Sequence, residues 1–387
     1  MATQQQYEDV ASIASAYESV EQAIAADDGR ARLLLLGAKR SGKTSILQVV
    51  FQKMSPHETL FLDPTSGLEV TDISNNAFVQ LKILDFPGGY DFSDTKVGAE
   101  EILKIKKGGA IVFVIDQQDG QEDLAAVEHF LDVARLASGI NPNLEIDVLI
   151  HKVEAEAETF DDDLNERVRH IRQVIVEQLR EERLNVHPTF HLTSIYDHTI
   201  FEAFSKIVQK QIPQMSQLEK LLSGLVMNSR VEKAYVFDVI SKIYIATDNS
   251  DMDHFYELCS DAIDVVIDVS RIYSKAGDQK SSKPEEGTGV PYDAKSGAII
   301  RMENNYVLHL REVDSYLALV CLMRSDPHVN NGLLEYNFSC FKKAIAELKA
   351  RHPPSIRGKL GSRKSTAASV PSRQGTRTKE DESKRLL

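Results

Sequence analysis

The sequence predicts an α/β domain built on a mostly parallel six-stranded sheet with helices on both faces, followed by a smaller α+β domain. Two observations support this prediction. From residue 33 to about 212, short apolar runs alternate with helical patterns, which is typical of a parallel sheet covered on both faces. From residue 231 the order changes to two strand-like runs, a helix, three strands and a final helix. That order indicates a second, α+β unit.

In the first unit, the positions of the apolar runs and stripes predict strands and helices in alternation. The predicted strands cover 32–36, 68–73, 78–84, 110–115, 145–150 and 189–192. The predicted helices cover 43–54, 98–107, 121–138, 160–182 and 197–211. Because Asn75 and Asn76 suit a tight turn, we expect the second and third strands to form a hairpin, which gives the sheet one antiparallel edge.

In the second unit, strands are predicted at 233–240, 241–247, 298–303, 306–312 and 316–324, with helices at 253–272 and 333–349. The resulting divisions are a mobile lead-in (1–30), the first domain (31–213), a connecting helix (214–230), the second domain (231–350) and a tail (351–387). Within the second domain, 275–295 reads as a disordered loop. The tail has almost no large apolar groups, so we expect it to be disordered.

Composition limits the classes of function. The 387 residues are 42% hydrophobic and 27% charged, and no apolar run approaches the ~18 residues that a membrane helix requires. The first residues lack the basic and apolar regions of a signal peptide, and neither end carries a lipidation motif. We therefore expect an intracellular protein that reaches membranes only through partners.

Charge and cysteine content narrow the classes further. The net charge of −13 combines a tail at +7 with a body near −20, and an acidic body argues against nucleic acid as a partner. Cys259, Cys321 and Cys340 have neither C-x-x-C spacing nor a nearby pair of histidines. Each sits in an apolar pattern, so we expect all three to be small buried hydrophobic residues.

The most informative segment is the glycine-rich stretch that follows the first strand. Gly37, Gly42, Lys43 and Thr44 match G-x-x-x-x-G-K-[ST] between a strand and a helix, which is the context of a phosphate-binding loop. The glycines allow successive N–H groups to point at phosphate oxygens, and the helix N-terminus favours an anion. Lys43 would reach the β- and γ-phosphates, and the Thr44 hydroxyl would ligate Mg²⁺.

Three further strand ends carry short polar motifs. Asp-Phe-Pro-Gly (85–88) matches the D-x-x-G element of GTPases, His-Lys-Val-Glu (151–154) stands where GTPases carry N-K-x-D, and Thr-Ser-Ile (193–195) suits a backbone contact to a base carbonyl. A strand-end carboxylate such as Asp85 can hold Mg²⁺. Ligands of open α/β sheets bind at the carboxyl ends of strands, so these motifs together predict a guanine-nucleotide site.

With these motifs the sequence resembles the Rag family of GTPases, in its C/D branch, from about residue 32 to 348. The segments that carry the resemblance are Gly-Ala-Lys-Arg-Ser-Gly-Lys-Thr (37–44), Met-Ser-Pro-His-Glu-Thr-Leu-Phe-Leu (54–62), Asp-Phe-Pro-Gly (85–88), Val-Ile-Asp (114–116), Leu-Ile-His-Lys-Val (149–153) and Leu-Thr-Ser-Ile-Tyr-Asp-His (192–198). The His at 151 in place of Asn is itself a habit of that family.

The resemblance implies that the first domain is a P-loop GTPase and that the second is a roadblock/longin-like module pairing with an A/B-type Rag GTPase. It also implies a switch that senses amino-acid supply and signals to the TOR kinase complex. Such a switch is held by a Ragulator- or Ego-type scaffold and controlled by a GTPase-activating regulator. The implied location is cytoplasmic and peripheral on the vacuolar or lysosomal membrane, with an additional nuclear pool.

The motifs and the resemblance together give the expected site residues for GTP or GDP and Mg²⁺. We expect Lys43, Thr65 and Gly88 to serve catalysis and Thr44, Thr65 and Asp85 to hold the metal, with Thr65 assigned by the resemblance alone. The expected nucleotide-binding residues are Arg40, Ser41, Gly42, Lys43, Thr44, Ser45, Thr65, Gly88, His151, Lys152, Glu154, Ser194 and Ile195.

Two departures from the family pattern leave the activity open between alternatives. Gly89 follows Gly88 where relatives carry Gln, and Glu154 replaces the usual Asp. The first alternative is a GTPase that converts GTP to GDP and phosphate very slowly without an activating partner. The second is a pseudo-GTPase that holds nucleotide as a structural ligand of a binding module. A P-loop kinase or ATPase is a third class, which the base-site residues Lys152 and Glu154 disfavour.

Overall fold

The computed structural model describes residues 30–74, 76–90, 109–118, 123–140, 145–153, 162–248, 255–274, 297–314, 316–325 and 331–351. Several predicted features lie outside these residues. They are positions 1–29 of the lead-in, the helix at 98–107, Glu154, the loop at 275–295 and positions 352–387 of the tail. Among the described residues, no helix is both long enough and apolar enough to cross a membrane.

The first sheet has six strands in the order β2-β3-β1-β4-β5-β6. Its strands are β1 (Ala31–Gly37), β2 (Glu69–Ile73), β3 (Leu81–Asp85), β4 (Gly109–Asp116), β5 (Ile146–His151) and β6 (Thr189–Thr193). All neighbouring pairs are parallel except β2 with β3. The fold class predicted for this part, including the antiparallel edge strand, is therefore confirmed.

Helices cover both faces of this sheet. They are α1 (Lys43–Gln52), α2 (Asp123–Ile140), α3 (Asp162–Glu181) and α4 (Thr199–Lys210), each within a few residues of its predicted bounds. The burial of β1 shows why the coverage is two-sided. Leu33 and Leu35 point into one apolar core and Leu34 and Leu36 into the other, and all four are at most 1% exposed. A strand buried on both faces reads as a continuous apolar run, as this one does.

The connection from β2 to β3 differs from the prediction. The strands pair as an antiparallel hairpin, but residues 74–80 separate them, and the strand predicted from residue 78 begins at Leu81. The Asn76 side-chain oxygen accepts the backbone N–H groups of Phe78 (3.0 Å) and Val79 (2.8 Å). This local bonding replaces strand pairing. The side chains of Phe78 and Val79 are buried in an apolar core, and the two residues do not extend the β2–β3 pairing.

The second sheet is wholly antiparallel, with the order β8-β7-β11-β10-β9. Its strands are β7 (Lys233–Asp238), β8 (Tyr244–Thr247), β9 (Gly297–Arg301), β10 (Tyr306–Asp314) and β11 (Leu317–Arg324). The accompanying helices are α5 (Met215–Ser229), α6 (Tyr256–Ser274) and α7 (Asn331–Arg351). The predicted element order of an α+β domain is confirmed, with β8 beginning at Tyr244 instead of residue 241.

One apolar core joins the two sheets. Ile73, Phe78 and Val79 of the β2–β3 segment belong to the same buried cluster as Val313 and Ile345 of the second sheet and α7. The Lys349 ammonium lies 5.6 Å from the centre of the Phe78 ring, within the range of a cation–π contact. The boundaries predicted for the domains remain predictions, because the packing is continuous across them.

The burial of the three cysteines tests the expectation that all of them are small buried residues. Cys259 and Cys321 are buried as predicted, but the prediction for Cys340 is wrong. That residue lies on the exposed side of α7, whose buried side carries Phe338 and Phe341. The apolar side chains of α6 are only partly buried. Ala262 is buried, whereas Val265 is 58% exposed.

Candidate nucleotide-binding site

A cavity of about 1010 Å³ lies at the carboxyl ends of the parallel strands, where the loops after β1, β3, β4, β5 and β6 meet. Most of the residues expected to bind nucleotide line it. They are Arg40, Gly42, Lys43, Thr44, Ser45, Thr65, Gly88, His151, Lys152, Ser194 and Ile195. The volume suits a small-molecule ligand.

The loop between β1 and α1 depends on its glycines. Gly37 has φ 142°, and a Cβ there would lie 2.2 Å from the Val114 carbonyl oxygen of β4. Gly42 has φ 98°, and a Cβ there would lie 2.7 Å from Cδ2 of His151. Both positions combine a left-handed backbone with a contact too close for any side chain, so glycine is required at each.

Lys43 is buried at the start of α1, and its ammonium folds back over the loop. Its Nζ donates hydrogen bonds to the carbonyl oxygens of Gly37 (3.1 Å) and Ala38 (2.7 Å). Burial lowers the pKa of Lys43 to about 8, opposed by the attraction of Asp85. A cation in this position faces the anion-binding N-terminus of the helix, and an anionic ligand would offset the cost of its burial.

Three oxygen-bearing side chains from separate segments meet beside Lys43. The Thr44 hydroxyl donates to Asp85 Oδ2 at 2.6 Å and lies 2.7 Å from the Thr65 hydroxyl. Burial raises the pKa of Asp85 to about 6, and the hydrogen bond from Thr44 opposes the shift. The other carboxylate oxygen, Asp85 Oδ1, is buried with no hydrogen-bond partner among the described residues.

This oxygen set fits Mg²⁺, which prefers hydroxyl and carboxylate oxygens and is bound through few protein groups together with phosphate oxygens. The orphaned Asp85 Oδ1 is the observation that supports the fit, because a buried carboxylate oxygen normally has a partner. Among the described residues no cluster of three or more His, Cys, Asp or Glu side chains could hold a metal instead.

Gly88 and Gly89 follow β3 at the edge of the cavity. Gly88 lies against the phosphate loop so closely that a Cβ there would be 2.4 Å from the Lys39 Cα. The Gly89 N–H donates to the Gly37 carbonyl at 3.1 Å, and its φ is 68°. A Cβ at Gly89 would meet no atom of the described residues within 4 Å. The two glycines therefore differ: contact with the loop fixes the first, whereas among the described residues only the backbone angle restricts the second.

His151 stands at the end of β5 and joins the phosphate loop to β6. Its Nδ1 lies 3.0 Å from the Thr193 hydroxyl, and the opposite edge of the ring packs on Gly42. Burial, reinforced by the neighbouring Lys152, lowers the pKa of His151 to about 4. The imidazole is therefore neutral at physiological pH and acts as a rigid polar spacer between two loops.

Lys152 follows with a left-handed backbone, φ 65°. Its Nζ reaches back across the cavity to the Arg40 carbonyl oxygen (3.0 Å) and to the Asp116 carboxylate (2.5 Å). Asp116 ends β4, and sequence reasoning gave it no role. The sequence did offer one indication, because Asp116 is a polar residue at the carboxyl end of a predicted strand, as are the other site residues.

Ser194 shapes the loop after β6. Its N–H donates to the Thr199 hydroxyl at 2.9 Å, and its own hydroxyl accepts the N–H of Tyr196 at 3.1 Å. The Ser194 amide therefore already has a partner within the chain. This turn presents Ile195 and the half-exposed Tyr196 ring to the cavity.

Two expected binding residues do not line the cavity, and a third is not among the described residues. Ser41 is buried under the loop, and its hydroxyl has no partner among the described residues. Asp85 reaches the site through its bond to Thr44, and Glu154 lies outside the described residues. Sequence reasoning missed other lining residues, which are Lys39, Thr59, Leu60, Leu62, Asp63, Pro64, Ser66, Gln118 and Tyr196.

Comparison with known proteins agrees with this geometry. The family model described as "Gtr1/RagA G protein conserved region" matches residues 32–263, more than half of the chain. The chain belongs to this family of G proteins. An alignment over 325 residues with Ras-related GTP-binding protein C of Homo sapiens shows 48% identity and covers 84% of this chain and 78% of that protein. An alignment over 319 residues with GTP-binding protein gtr2 of Schizosaccharomyces pombe shows 46% identity and covers 82% of this chain and 97% of that protein.

The level of identity to these relatives assigns this Gtr1/RagA-family chain to the C/D branch, as predicted. Membership of the G-protein family implies guanine-nucleotide binding and GTPase activity in general. Among solved structures, the Roadblock/LC7 domain from Streptomyces avermitilis is similar, with 16% identity and a TM-score of 0.25, covering 34% of this chain and 97% of that one.

Proposed function

We propose that the chain is the guanine-nucleotide-binding switch subunit of a Rag-type heterodimeric GTPase that signals amino-acid sufficiency to the TOR kinase complex. The meeting of Thr44, Thr65 and Asp85 beside Lys43 carries the proposal. Thr65 lies 21 residues from Thr44 in the chain, yet their hydroxyl oxygens are 2.7 Å apart. The segment that carries Thr65 therefore reaches the phosphate-binding loop, as it must if its conformation is to depend on the terminal phosphate of the ligand.

At the phosphate end, the chain supplies a cradle of loop N–H groups, the N-terminus of α1 and the Lys43 ammonium. Thr44, Thr65 and Asp85 would hold Mg²⁺, which when bound neutralises charge on the phosphates. Gly88 would bring its N–H to the terminal phosphate because it packs directly on the phosphate loop. Loss of that phosphate removes the partner that keeps Thr65 and Gly88 in place, and this is the switching event.

At the base end, we propose that the Lys152 stem packs on the purine and that Glu154 accepts the guanine N–H donors. His151 and Ser194 support these groups by fixing the loops that carry them. The backbone N–H of Ile195 is the group left to meet the base carbonyl, since the Ser194 N–H is bonded to Thr199.

The partner we propose is an A/B-type Rag GTPase that pairs through the second sheet and its helices. Apolar side chains stay exposed there. Val265 and Val269 on α6 are 58% and 48% exposed, and Ile299 on the edge strand β9 is 50% exposed. The remaining partners follow from the family resemblance: a Ragulator- or Ego-type scaffold, the TOR kinase complex and a GTPase-activating regulator. Through the scaffold, the pair would sit on the vacuolar or lysosomal membrane.

A second candidate is a pseudo-GTPase that keeps nucleotide as a structural ligand. Gly89 favours it, since a glycine has no side chain to orient an attacking water molecule. The intact Lys43, Thr44 and Asp85 favour a hydrolase instead. We therefore propose very slow hydrolysis without an activating partner.

The test is to purify the chain together with an A/B-type partner and identify the bound nucleotide by chromatography after denaturation. GTP, ATP and XTP then compete for the emptied site with and without Mg²⁺. We expect bound GDP or GTP, preference for GTP and faster release when EDTA removes Mg²⁺. Equal binding of ATP, or no co-purifying guanine nucleotide, would contradict the proposal.

A further inference from the structure

Lys152 is held by two other loops of the site. Its ammonium bridges the carboxylate of Asp116 at 2.5 Å and the carbonyl oxygen of Arg40 at 3.0 Å. The carboxylate comes from the end of β4 and the carbonyl from the phosphate loop. The Asp116 side chain is only 13% exposed and that of Lys152 is 31% exposed. A charged hydrogen bond in such a partly buried setting is stronger than an exposed surface ion pair.

Asp116 is itself fixed in the orientation that this bridge requires. It is the last residue of β4 and is paired in register with His151, the residue before Lys152. Its Oδ1 accepts the backbone N–H of Gln118 at 3.0 Å, which leaves Oδ2 for the lysine. The next residue joins the same two strand ends, since the Gln117 N–H donates to the His151 carbonyl at 3.1 Å. The carboxylate therefore sits on a rigid frame.

The lysine, by contrast, is not fixed by its backbone alone. Its φ of 65° is unusual for a residue other than glycine, and its long side chain has many rotamers. Without Asp116, the described residues would leave the ammonium with the Arg40 carbonyl and no negative partner, and we expect the side chain to become more mobile.

We propose that Asp116 is a positioning residue for retention of the nucleotide base. It acts through Lys152, keeping the aliphatic stem of that side chain extended along the cavity wall where a purine would lie. This assignment rests on the proposed guanine-nucleotide function. Asp116 thereby gains a role in ligand retention, although it belongs to none of the phosphate-loop, D-x-x-G and base-binding motifs.

The experiment measures the dissociation rate of a fluorescent GDP from the full chain in its purified complex. We expect Asp116→Asn to release GDP about tenfold faster, a change in rate constant that corresponds to about 1.4 kcal/mol. Asp116→Glu keeps the charge and is expected to stay within about threefold of wild type. The matched control is Asp132→Asn, which removes a carboxylate of the exposed Asp132–Arg135 ion pair on α2.

A double-mutant cycle separates positioning from a general structural role. If Asp116 acts through Lys152, Asp116→Asn adds little to the release rate in a Lys152→Ala background, because the side chain it positions is gone. A purely structural role predicts additive effects and an equal loss of thermal stability in both backgrounds.

Three outcomes would overturn the assignment. They are wild-type release from Asp116→Asn, additive effects in the cycle, and a control as fast as Asp116→Asn. A wild-type complex that holds no guanine nucleotide would instead overturn the proposed function, and this assignment with it. The wild-type measurement therefore distinguishes the two failures.

Discussion

Among the single residues of the site, Gly89 bears most directly on the proposed hydrolysis. The neighbouring Gly88 cannot carry a Cβ because the phosphate loop lies against it, whereas no described residue approaches the Cβ position of Gly89. Packing against the described part of the chain therefore does not require a glycine at 89. The φ of 68° does disfavour a larger residue, at a cost of about 1–2 kcal/mol.

Placing a glutamine at position 89 should raise hydrolysis. We expect Gly89→Gln to hydrolyse GTP at least about fivefold faster in single turnover, a barrier lowered by about 1 kcal/mol, because the amide can orient water. Gly89→Ala has the same backbone conflict without the amide and serves as control. Equal rates for the Gln variant and wild type would contradict this role for the missing side chain.

His151 makes a second residue-scale prediction, on pH. The folded protein keeps this imidazole neutral down to a pKa of about 4, while the unfolded chain takes up the proton near 6.5. Because the unfolded state then binds more protons, His151 lowers the free energy of unfolding as pH falls through 6.5 towards 4, by about 3 kcal/mol in all.

Urea unfolding at pH 7.5 and pH 5 measures this contribution. Wild type should lose about 2 kcal/mol more than His151→Asn between the two values, since Asn does not titrate. His170→Asn, which removes an exposed histidine on α3, should keep the wild-type dependence. Parallel losses in wild type and His151→Asn would disprove the buried neutral histidine.

At the scale of elements, the β2–β3 hairpin was the least predictable part. The sequence indicated its two strands but assigned Phe78 to a strand and Asn75-Asn76 to a tight turn. A pattern of apolar residues cannot distinguish a strand from a loop whose side chains enter a distant core. The phosphate loop was predictable because close contacts with a strand and a histidine require glycine at two of its positions.

Removing the Phe78 ring tests how much the packing of this hairpin in the shared core contributes to stability. Phe78 is 7% exposed and packs with residues of both sheets. We expect Phe78→Ala to lower the free energy of unfolding by about 3–5 kcal/mol, the range for deleting a buried aromatic side chain. Phe61→Ala deletes an 88% exposed ring and should change it by less than about 0.5 kcal/mol. Urea midpoints measure both, and similar small losses would mean that the loop is not part of the core.

At the scale of the molecule, the two sheets and the element order followed from the sequence, because apolar periodicity reports burial directly. The contact between the sheets did not, since no pattern marks which buried residues meet across domains. The same limit explains Asp116. Its strand was predicted, but its bond to Lys152 depends on how two strand ends lie in register.

The continuous core makes a prediction for the unfolding of the whole chain. Because Ile73 and Phe78 share a core with Val313 and Ile345, we expect one cooperative calorimetric transition for both sheets. Saturating GDP at about 100 times its dissociation constant should shift that transition by about 2.7 kcal/mol as a unit. Two separate transitions, of which GDP moves only one, would show that the domains unfold independently.

The contacts at the two ends of the β2–β3 hairpin also have a mechanical consequence. Each of its strands has five residues and spans roughly 17 Å. One end of β3 is Asp85, which is hydrogen-bonded to Thr44 of the phosphate loop, and the other end leads to Phe78 in the core that the two sheets share. The hairpin therefore links a proposed metal ligand to the core that the two sheets share. We expect a partner that displaces the second sheet to shift this hairpin and, with it, the Asp85 carboxylate.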